Sequence, residues 1–422
     1  MKKRISLATV LIALLITALL TFLLTNSFVG KKYQAVVDQM DQKGEEFPSL
    51  VEIKGLIEEY YLGSVDHDAA QEALIRAYVA SLGDKYSRYL NAEEYSVYNT
   101  SRNGAGFGIG VYAVWDEENG NLLVYSVFPS SPAEKAGIKK NDRVTRVGGM
   151  EVSEIGPEAA FNAFTGEEGS FVDIHAQRRV GGQTLDFDFS VERADIEIQS
   201  VISEMLENSI GYVQIFTFNE KTPEQFRTAV TSLTEKGAKA LIFDLRDNAG
   251  GSLNSVVEML DFILPEGDLV RAVDKNGNET MYKSGAESVD LPMAVLINSS
   301  SASASEIFAF AVRDFQKGVL VGETTYGKGT AQIILKMKDG GALILSNFRF
   351  YSPKGETPEG VGVKPDVEAA LEEANFYLIP RSRDNQLKSA ISVISERLGI
   401  AVPADAEPDE TETSEADPVS AP

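Results

Sequence analysis

The chain has 422 residues, 43% of them hydrophobic and 24% charged, enough for two or three domains with cores of their own. Its net charge of -24 disfavours nucleic acid as a partner and sets its bulk against anionic lipid surfaces. With no cysteine, disulfides, thiol catalysis, iron–sulfur clusters and cysteine-type zinc sites are excluded, while an oxidising exterior remains compatible.

Lys2, Lys3 and Arg4 precede an apolar run from Ile5 to Leu24, interrupted only by Ser6, Thr9, Thr17 and Thr21. Twenty residues at ~1.5 Å each span a ~30 Å hydrocarbon core. The basic cluster sets the N-terminus in the cytoplasm. Thr25 to Gly30 carries no clear small-x-small cleavage site, so residues 1–32 read as a basic stub and an uncleaved transmembrane signal anchor. The rest of the chain is then expected outside the cytoplasm, at the cell surface or in the periplasm, as a single-pass membrane protein.

Residues 33–93 read as a helical region, with Leu50, Ile53, Ile57 and Tyr60 on one face and Leu74, Ala77, Tyr78 and Leu82 on another. Residues 94–193 change character. Gly104-Ala-Gly-Phe-Gly-Ile-Gly110 opens a set of short strands, and Leu122 to Phe128 is rich in strand formers. Pro129 to Pro132 turns into a short helix ending at Gly137, Asn141 to Gly149 is a strand closing in a tight turn, and Val172–Gln177 and Leu185–Val191 alternate. Over 194–370 strands and helices alternate as in an α/β core. Gly211–Phe216, Ala240–Leu245, Met293–Asn298, Val319–Glu323, Gln332–Met337 and Leu343–Phe350 are strands, and Pro223–Lys236 is a helix. Residues 371–403 hold a last amphipathic helix with Leu387, Ile391, Ile394 and Leu398 on one side. Residues 404–422 carry seven acids, no bases and several prolines, which predicts disorder.

The chemistry concentrates where Asn298-Ser-Ser-Ser-Ala-Ser-Ala-Ser-Glu306 closes an apolar strand and opens a helix. Gly327-Lys328-Gly329 follows, Lys328 standing 25 residues after Ser303. A serine needs a base to become a nucleophile. With only two histidines in the chain, a lysine holding a neutral amine is the available one. A serine at a helix start meets free amides and the positive dipole end, which suits a developing oxyanion. The residues leave Ser299, Ser300, Ser301, Ser303 and Ser305 open as nucleophiles. Lys328 must be buried and short of carboxylates to lose its proton, and Gln332 can hydrogen-bond it without the charge of a carboxylate. Asn248-Ala-Gly-Gly251 ends another buried strand, where glycines let amides face a ligand. A Ser-His-Asp hydrolase is disfavoured: His67 and His175 both precede Ser303, and no G-x-S-x-G elbow exists. No H-E-x-x-H or S-x-x-K pattern occurs. No metal and no cofactor is expected.

Ser301 to Ile307, Glu323-Thr-Thr-Tyr-Gly-Lys-Gly329 with Gln332, and Asp244-Leu-Arg-Asp-Asn-Ala-Gly-Gly251 together resemble the carboxyl-terminal processing (tail-specific) proteases. So do Ser81-Leu-Gly-Asp-Lys-Tyr-Ser87 and the stretch from Gly355 to Asp366. The resemblance covers most of residues 45–370. It implies an N-terminal helical region, an inserted PDZ domain over 94–193, a crotonase-like α/β protease core over 194–370, and endoproteolysis near substrate C-terminal tails. It assigns Ser303 as nucleophile, Lys328 as base, Gln332 as the support of the lysine, and Gly250, Gly251 and Ala304 as the source of oxyanion-hole amides. In the PDZ domain the tail carboxylate would meet Phe107, Gly108, Ile109 and Gly110 while the peptide adds as a strand. The family often dimerises through its terminal helices, so a homodimer is an expectation. Asp314 is expected to be structural, and Glu306 and Thr325 stand in family motifs. Where the family often has Arg-Gly, this chain has Thr165-Gly-Glu-Glu-Gly-Ser170. The alternative reading is a membrane-tethered PDZ adaptor with an inactive core.

Overall fold

The computed structural model describes residues 47–399 except residue 374. The expected anchor over 5–24 and the acidic tail over 404–422 lie outside the described residues. Among the described residues no helix is long and apolar enough to cross a membrane. The chain divides into two compact units at Ile75 and Arg76. The first carries α1 (Pro48–Tyr60), entered through Pro48 at a position where a missing N–H costs nothing. Leu50, Ile53, Ile57 and Tyr60 share its face as expected, and all four are exposed. The division falls inside α2 (His67–Ala80).

The second unit begins with β1 (Arg88–Leu90) and α3 (Ala92–Arg102). A reciprocal capping box between Asn91 and Glu94 starts α3. β2 (Ala105–Gly108) pairs with the later β9 (Ala194–Glu197), bracketing a β-rich insert. Within the insert, β3 (Val111–Asp116), β4 (Asn121–Val127), β5 (Arg143–Val147), β6 (Met150–Glu151), β7 (Phe171–Val180) and β8 (Gln183–Glu192) form one sheet in the order β3-β4-β5-β7-β8, with β6 on β5. The short α4 (Pro132–Ala136) ends at left-handed Gly137, as its sequence predicts. The sequence reading left α5 (Val152–Ala163) unassigned. Gly156 breaks it at φ 75° and Pro157 follows, which blurs its helical period. Leu122, Val124, Val144, Ile174 and Val191 form the core of the insert.

Beyond it, β10 (Val201–Leu206), β11 (Ile210–Ile215), β12 (Ala240–Asp244), β15 (Met293–Ile297), β16 (Gly318–Gly322) and β19 (Val367–Glu368) make a six-stranded sheet in that order. Every pairing after β10–β11 is parallel. The strands β11, β12, β15 and β16 are buried along their whole length, as continuous apolar runs in a parallel sheet should be. The helices α6 (Thr222–Glu235), α7 (Leu253–Ile263) and α8 (Ala304–Asp314) cover one face. The last helix, α9 (Asn385–Leu398), packs Leu387, Ala390 and Ile394 on the other. A second, antiparallel sheet is built around the long β18 (Ala342–Tyr351), which pairs with β1, with β13 (Gly267–Asp274) and with β17 (Thr330–Lys336); β14 (Glu279–Ser284) pairs with β13.

Candidate active site

Parallel strands β12 and β15 are neighbours, so the loops leaving their carboxyl ends lie side by side, where open α/β sheets bind ligands. The first loop is Leu245–Ser252 and the second Asn298–Ser303. Their serines and asparagine stitch them together. Ser301 Oγ donates to the carbonyl of Leu245 at 2.8 Å, Ser305 Oγ donates to the carbonyl of Asn248 at 2.8 Å, and the Ala302 amide donates to that same carbonyl at 3.0 Å. Ser301 and Ser305 are thereby buried and spent, and Ser299 and Ser300 are exposed. Of the five serines left open by sequence, Ser303 lines the large cavity of the described residues, about 730 Å³.

Ser303 sits at φ 57°, ψ -110°, a conformation non-glycine residues avoid and one that functional turns store. What holds it there is Glu306. This carboxylate is fully buried and accepts from the Ser303 amide (2.7 Å), Thr325 Oγ1 (2.6 Å), the Gly327 amide (2.8 Å) and the Lys328 amide (2.9 Å). One side chain thus pins the candidate nucleophile's backbone to the candidate base's backbone. Burial pushes its carboxyl up, against the pull of those four hydrogen bonds. The signal in the sequence is the Ser303-x-x-Glu306 spacing of a capping box. Sequence reasoning gave Glu306 no assigned role.

Lys328 is half-buried and donates from Nζ to Gln332 Oε1 at 3.0 Å; the ring of Tyr86 lies 4.4 Å from the same nitrogen. Burial and, after it, the nearby Arg88 guanidinium hold its pKa below the ordinary lysine value, while Asp84, Glu306 and Tyr326 oppose the shift. Gly327 supplies the φ of 91° that the loop needs.

The Gly250 backbone approaches so closely that a Cβ there would stand 2.9 Å from Ser303 Cβ and 2.7 Å from the Ala302 carbonyl oxygen. Its own amide donates to Asn248 Oδ1 at 2.8 Å, so that donor is engaged. Gly251 and Ala304 line the cavity with Ser303, Lys328 and Gln332. Leu253, Tyr282, Ile307, Phe348 and Phe350 give it an apolar wall. Asp314 lies outside the cavity lining and accepts from Arg313 and from the Lys354 amide.

The residues expected to hold a tail carboxylate are elsewhere and do not line this cavity. Phe107 is exposed, whereas Gly108, Ile109 and Gly110 are buried. The Ile109 amide donates to the Phe164 carbonyl at 3.2 Å, and its side chain sits in the insert's core. The Thr165–Ser170 loop is clamped by Arg193, which donates to the Ala163 carbonyl (2.7 Å) and to Ser170 Oγ (3.0 Å).

A serine on a strained turn, a half-buried lysine and a glycine-rich loop around one cavity define a serine hydrolase site on an α/β sheet. Residues 209–369 match the model of peptidase family S41, and residues 97–175 that of the PDZ domain. The chain is 33% identical to carboxy-terminal processing protease CtpA of Bacillus subtilis over 366 residues, covering 86% of this chain and 76% of the relative. It is 31% identical to CtpB of the same organism over 327 residues, covering 76% and 67%. A solved chain from Bacteroides fragilis described as an S41 protease shares the fold, with TM-score 0.56, 18% identity, and 81% and 93% of the two chains covered. The chain therefore belongs to the carboxy-terminal processing proteases, serine-type peptidases of family S41 with a PDZ domain.

Proposed function

We propose that this chain is an endopeptidase that cuts near the C-terminal tails of extracytoplasmic proteins through a Ser303–Lys328 dyad. Neutral Lys328 Nζ takes the proton of Ser303 Oγ as that oxygen attacks the scissile carbonyl. The oxyanion forms against the amides of Gly251 and Ala304, the latter in the first turn of α8. Gly250 contributes its close backbone approach. The lysine then hands the proton to the leaving amine, and water resolves the acyl-enzyme by the same route. Gln332 Oε1 holds Nζ in place. The observation that carries this reading is the shared cavity: Ser303 alone of the five serines faces it, together with Lys328 and Gln332.

The same reading takes the core over 194–370 as crotonase-like, the PDZ domain over 94–193 as the reader of the substrate tail, and residues 5–24 as a membrane anchor. It takes pairing of two copies through the terminal helices as the assembly. Sequence supports these parts through the apolar run and the family motifs. The test is cleavage of a loosely folded protein with an apolar C-terminus by the full chain. Ser303→Ala and Lys328→Ala should each lower the rate by about 10³-fold or more. Equal cleavage by all three proteins would mean that another nucleophile acts. Tail binding without any cleavage would favour the adaptor.

A further inference from the structure

Gln332 can help Lys328 only if its amide presents oxygen, not nitrogen, to the lysine, and the amide is free to flip unless its other end is fixed. Its Nε2 donates to Ser346 Oγ at 3.1 Å and, more weakly, to the Thr330 carbonyl at 3.4 Å. A bulge at Ala331/Gln332 sets Gln332 opposite Ser346 across β17 and β18. Ser346 Oγ can accept that bond only while the Ser346 backbone is held beside the amide.

That hold comes from a segment more than 200 residues away in sequence. The pairing of β1 with β18, Arg88 opposite Ile344, brings Asp84 to Ser87 beside Ser346. The Ser346 amide donates to Ser87 Oγ at 3.0 Å, Ser87 Oγ donates to Asp84 Oδ2, and the Tyr86 amide donates to Asp84 Oδ1 at 3.1 Å. Burial alone would raise the carboxyl of Asp84, but its hydrogen bonds hold it below the ordinary range. It is thus an acceptor at neutral pH and takes the Ser87 proton, which commits Ser87 Oγ to accept the Ser346 amide.

We infer that Asp84 is a positioning residue for the peptidase reaction: it commits the Ser87 proton, so that Ser87 Oγ holds the Ser346 backbone where Ser346 Oγ accepts Gln332 Nε2 and Gln332 turns its oxygen to Lys328. The inference rests on Lys328 as the base. It gives the Ser81-Leu-Gly-Asp-Lys-Tyr-Ser87 stretch a task in the chemistry, although that stretch precedes the PDZ domain and the whole core. With asparagine at 84 an N–H₂ group can face Ser87 Oγ, whose proton then turns toward the Ser346 amide; Ser346 loses its hold beside Gln332, and a flipped Gln332 amide offers N–H groups to an amine that needs an acceptor.

The experiment measures kcat and KM against pH for the full chain and for Asp84→Asn, Ser346→Ala, Gln332→Ala, the double variant Asp84→Asn/Gln332→Ala, and Lys328→Ala. Ser346→Ala leaves the Asp84 bonds to Ser87 and Tyr86 in place, and it decides the matter if Asp84→Asn does not fold. Asp84→Asn and Ser346→Ala should each lower kcat by about 10-fold or more with KM little changed, the size seen for outer partners that orient a reacting group. In Asp84→Asn the acidic limb of the profile should move to lower pH, because a carboxylate favouring the ammonium form of Lys328 is gone. The double variant should be no slower than Gln332→Ala alone. Losses that multiply in the double variant, or an unmoved acidic limb, overturn the inference while leaving the dyad standing. A Lys328→Ala enzyme with the parent rate would instead overturn the dyad itself.

Discussion

Glu306 has no counterpart in a simple nucleophile–base account, yet it touches the backbone of both groups. Replacing it with glutamine keeps the size but sets an N–H₂ group against either the Ser303 and Lys328 amides or the Gly327 amide and the Thr325 hydroxyl. Glu306→Gln is expected to lower kcat by about 10²-fold and to destabilise the fold by about 1–3 kcal/mol, measured by steady-state kinetics and denaturant melts. Lys328 carries a second prediction. Its folded pKa lies below its unfolded value of 10.5. Between the two values the unfolded chain binds the extra proton, so this residue's contribution to stability rises with pH through that window and is least favourable below it. Lys328→Met should therefore abolish peptidase activity and yet raise Tm at pH 7, with the gain shrinking as pH approaches 10.5. An unchanged or lower Tm at pH 7 would show that the ammonium is not strained by its site. At this scale the residues alone left five serines open, and the family resemblance singled out Ser303 with Lys328 as the candidates. The strained φ of Ser303 was not legible, because it is held by the Glu306 carboxylate, whose other partners at Thr325, Gly327 and Lys328 only the fold brings close.

At the scale of elements, α9 is tied to the sheet by one buried cation. Arg246, just past β12, is fully buried and bonds Asp244, Asp384 and Gln386 while lying 3.8 Å over the Phe376 ring. Tyr212 Oη donates to the same Asp244 at 2.6 Å. Removing the guanidinium strands two buried carboxylates, so Arg246→Ala should cost about 3–5 kcal/mol of stability in denaturant unfolding. It should also loosen the turn that carries Asn248 to Gly251, two residues further on. The parallel strands and α9 could be read from sequence, since continuous apolar runs and a clean helical period survive without tertiary context. The stretch from α7 through β14 could not. Leu253–Ile263 is buried on one face and capped by Ser252, but its partners are α6 and α8, which only the fold brings close. Likewise β13 and β14 are half-exposed strands, fixed by the pairing of β13 with β18 and of β14 with β13.

At the scale of the whole molecule, the PDZ insert rests on the protease sheet through an aromatic cluster. Tyr112 stacks on Phe216 with centroids 4.3 Å apart, Tyr125 meets Tyr377 edge-on at 4.9 Å, and Tyr125 Oη donates to Gln214 Oε1 at 2.8 Å. Burial drives the Tyr125 phenol up to about 12, so it stays a donor across the working range. Tyr125→Phe leaves the Gln214 oxygen without that donor and should cost about 1–3 kcal/mol, with faster proteolytic nicking between insert and core as the visible sign. From the sequence, through its family resemblance, an inserted PDZ domain is expected between a helical N-terminal region and the α/β core. The sequence could not show this seam, because Tyr112 and Tyr125 on the paired strands β3 and β4 meet Phe216 and Tyr377 from distant stretches, each reading as an ordinary strand or loop residue.

The central claim is that Ser303 is acylated with Lys328 as its base. The direct measurement is to quench the full chain during turnover of a slow ester substrate and map the acyl group by peptide mass. The account expects the adduct on Ser303 in the parent protein, none in Ser303→Ala, and a formation rate that rises with pH and collapses in Lys328→Ala. An adduct on Ser299, Ser300, Ser301 or Ser305, or acylation undiminished in Lys328→Ala, would contradict it.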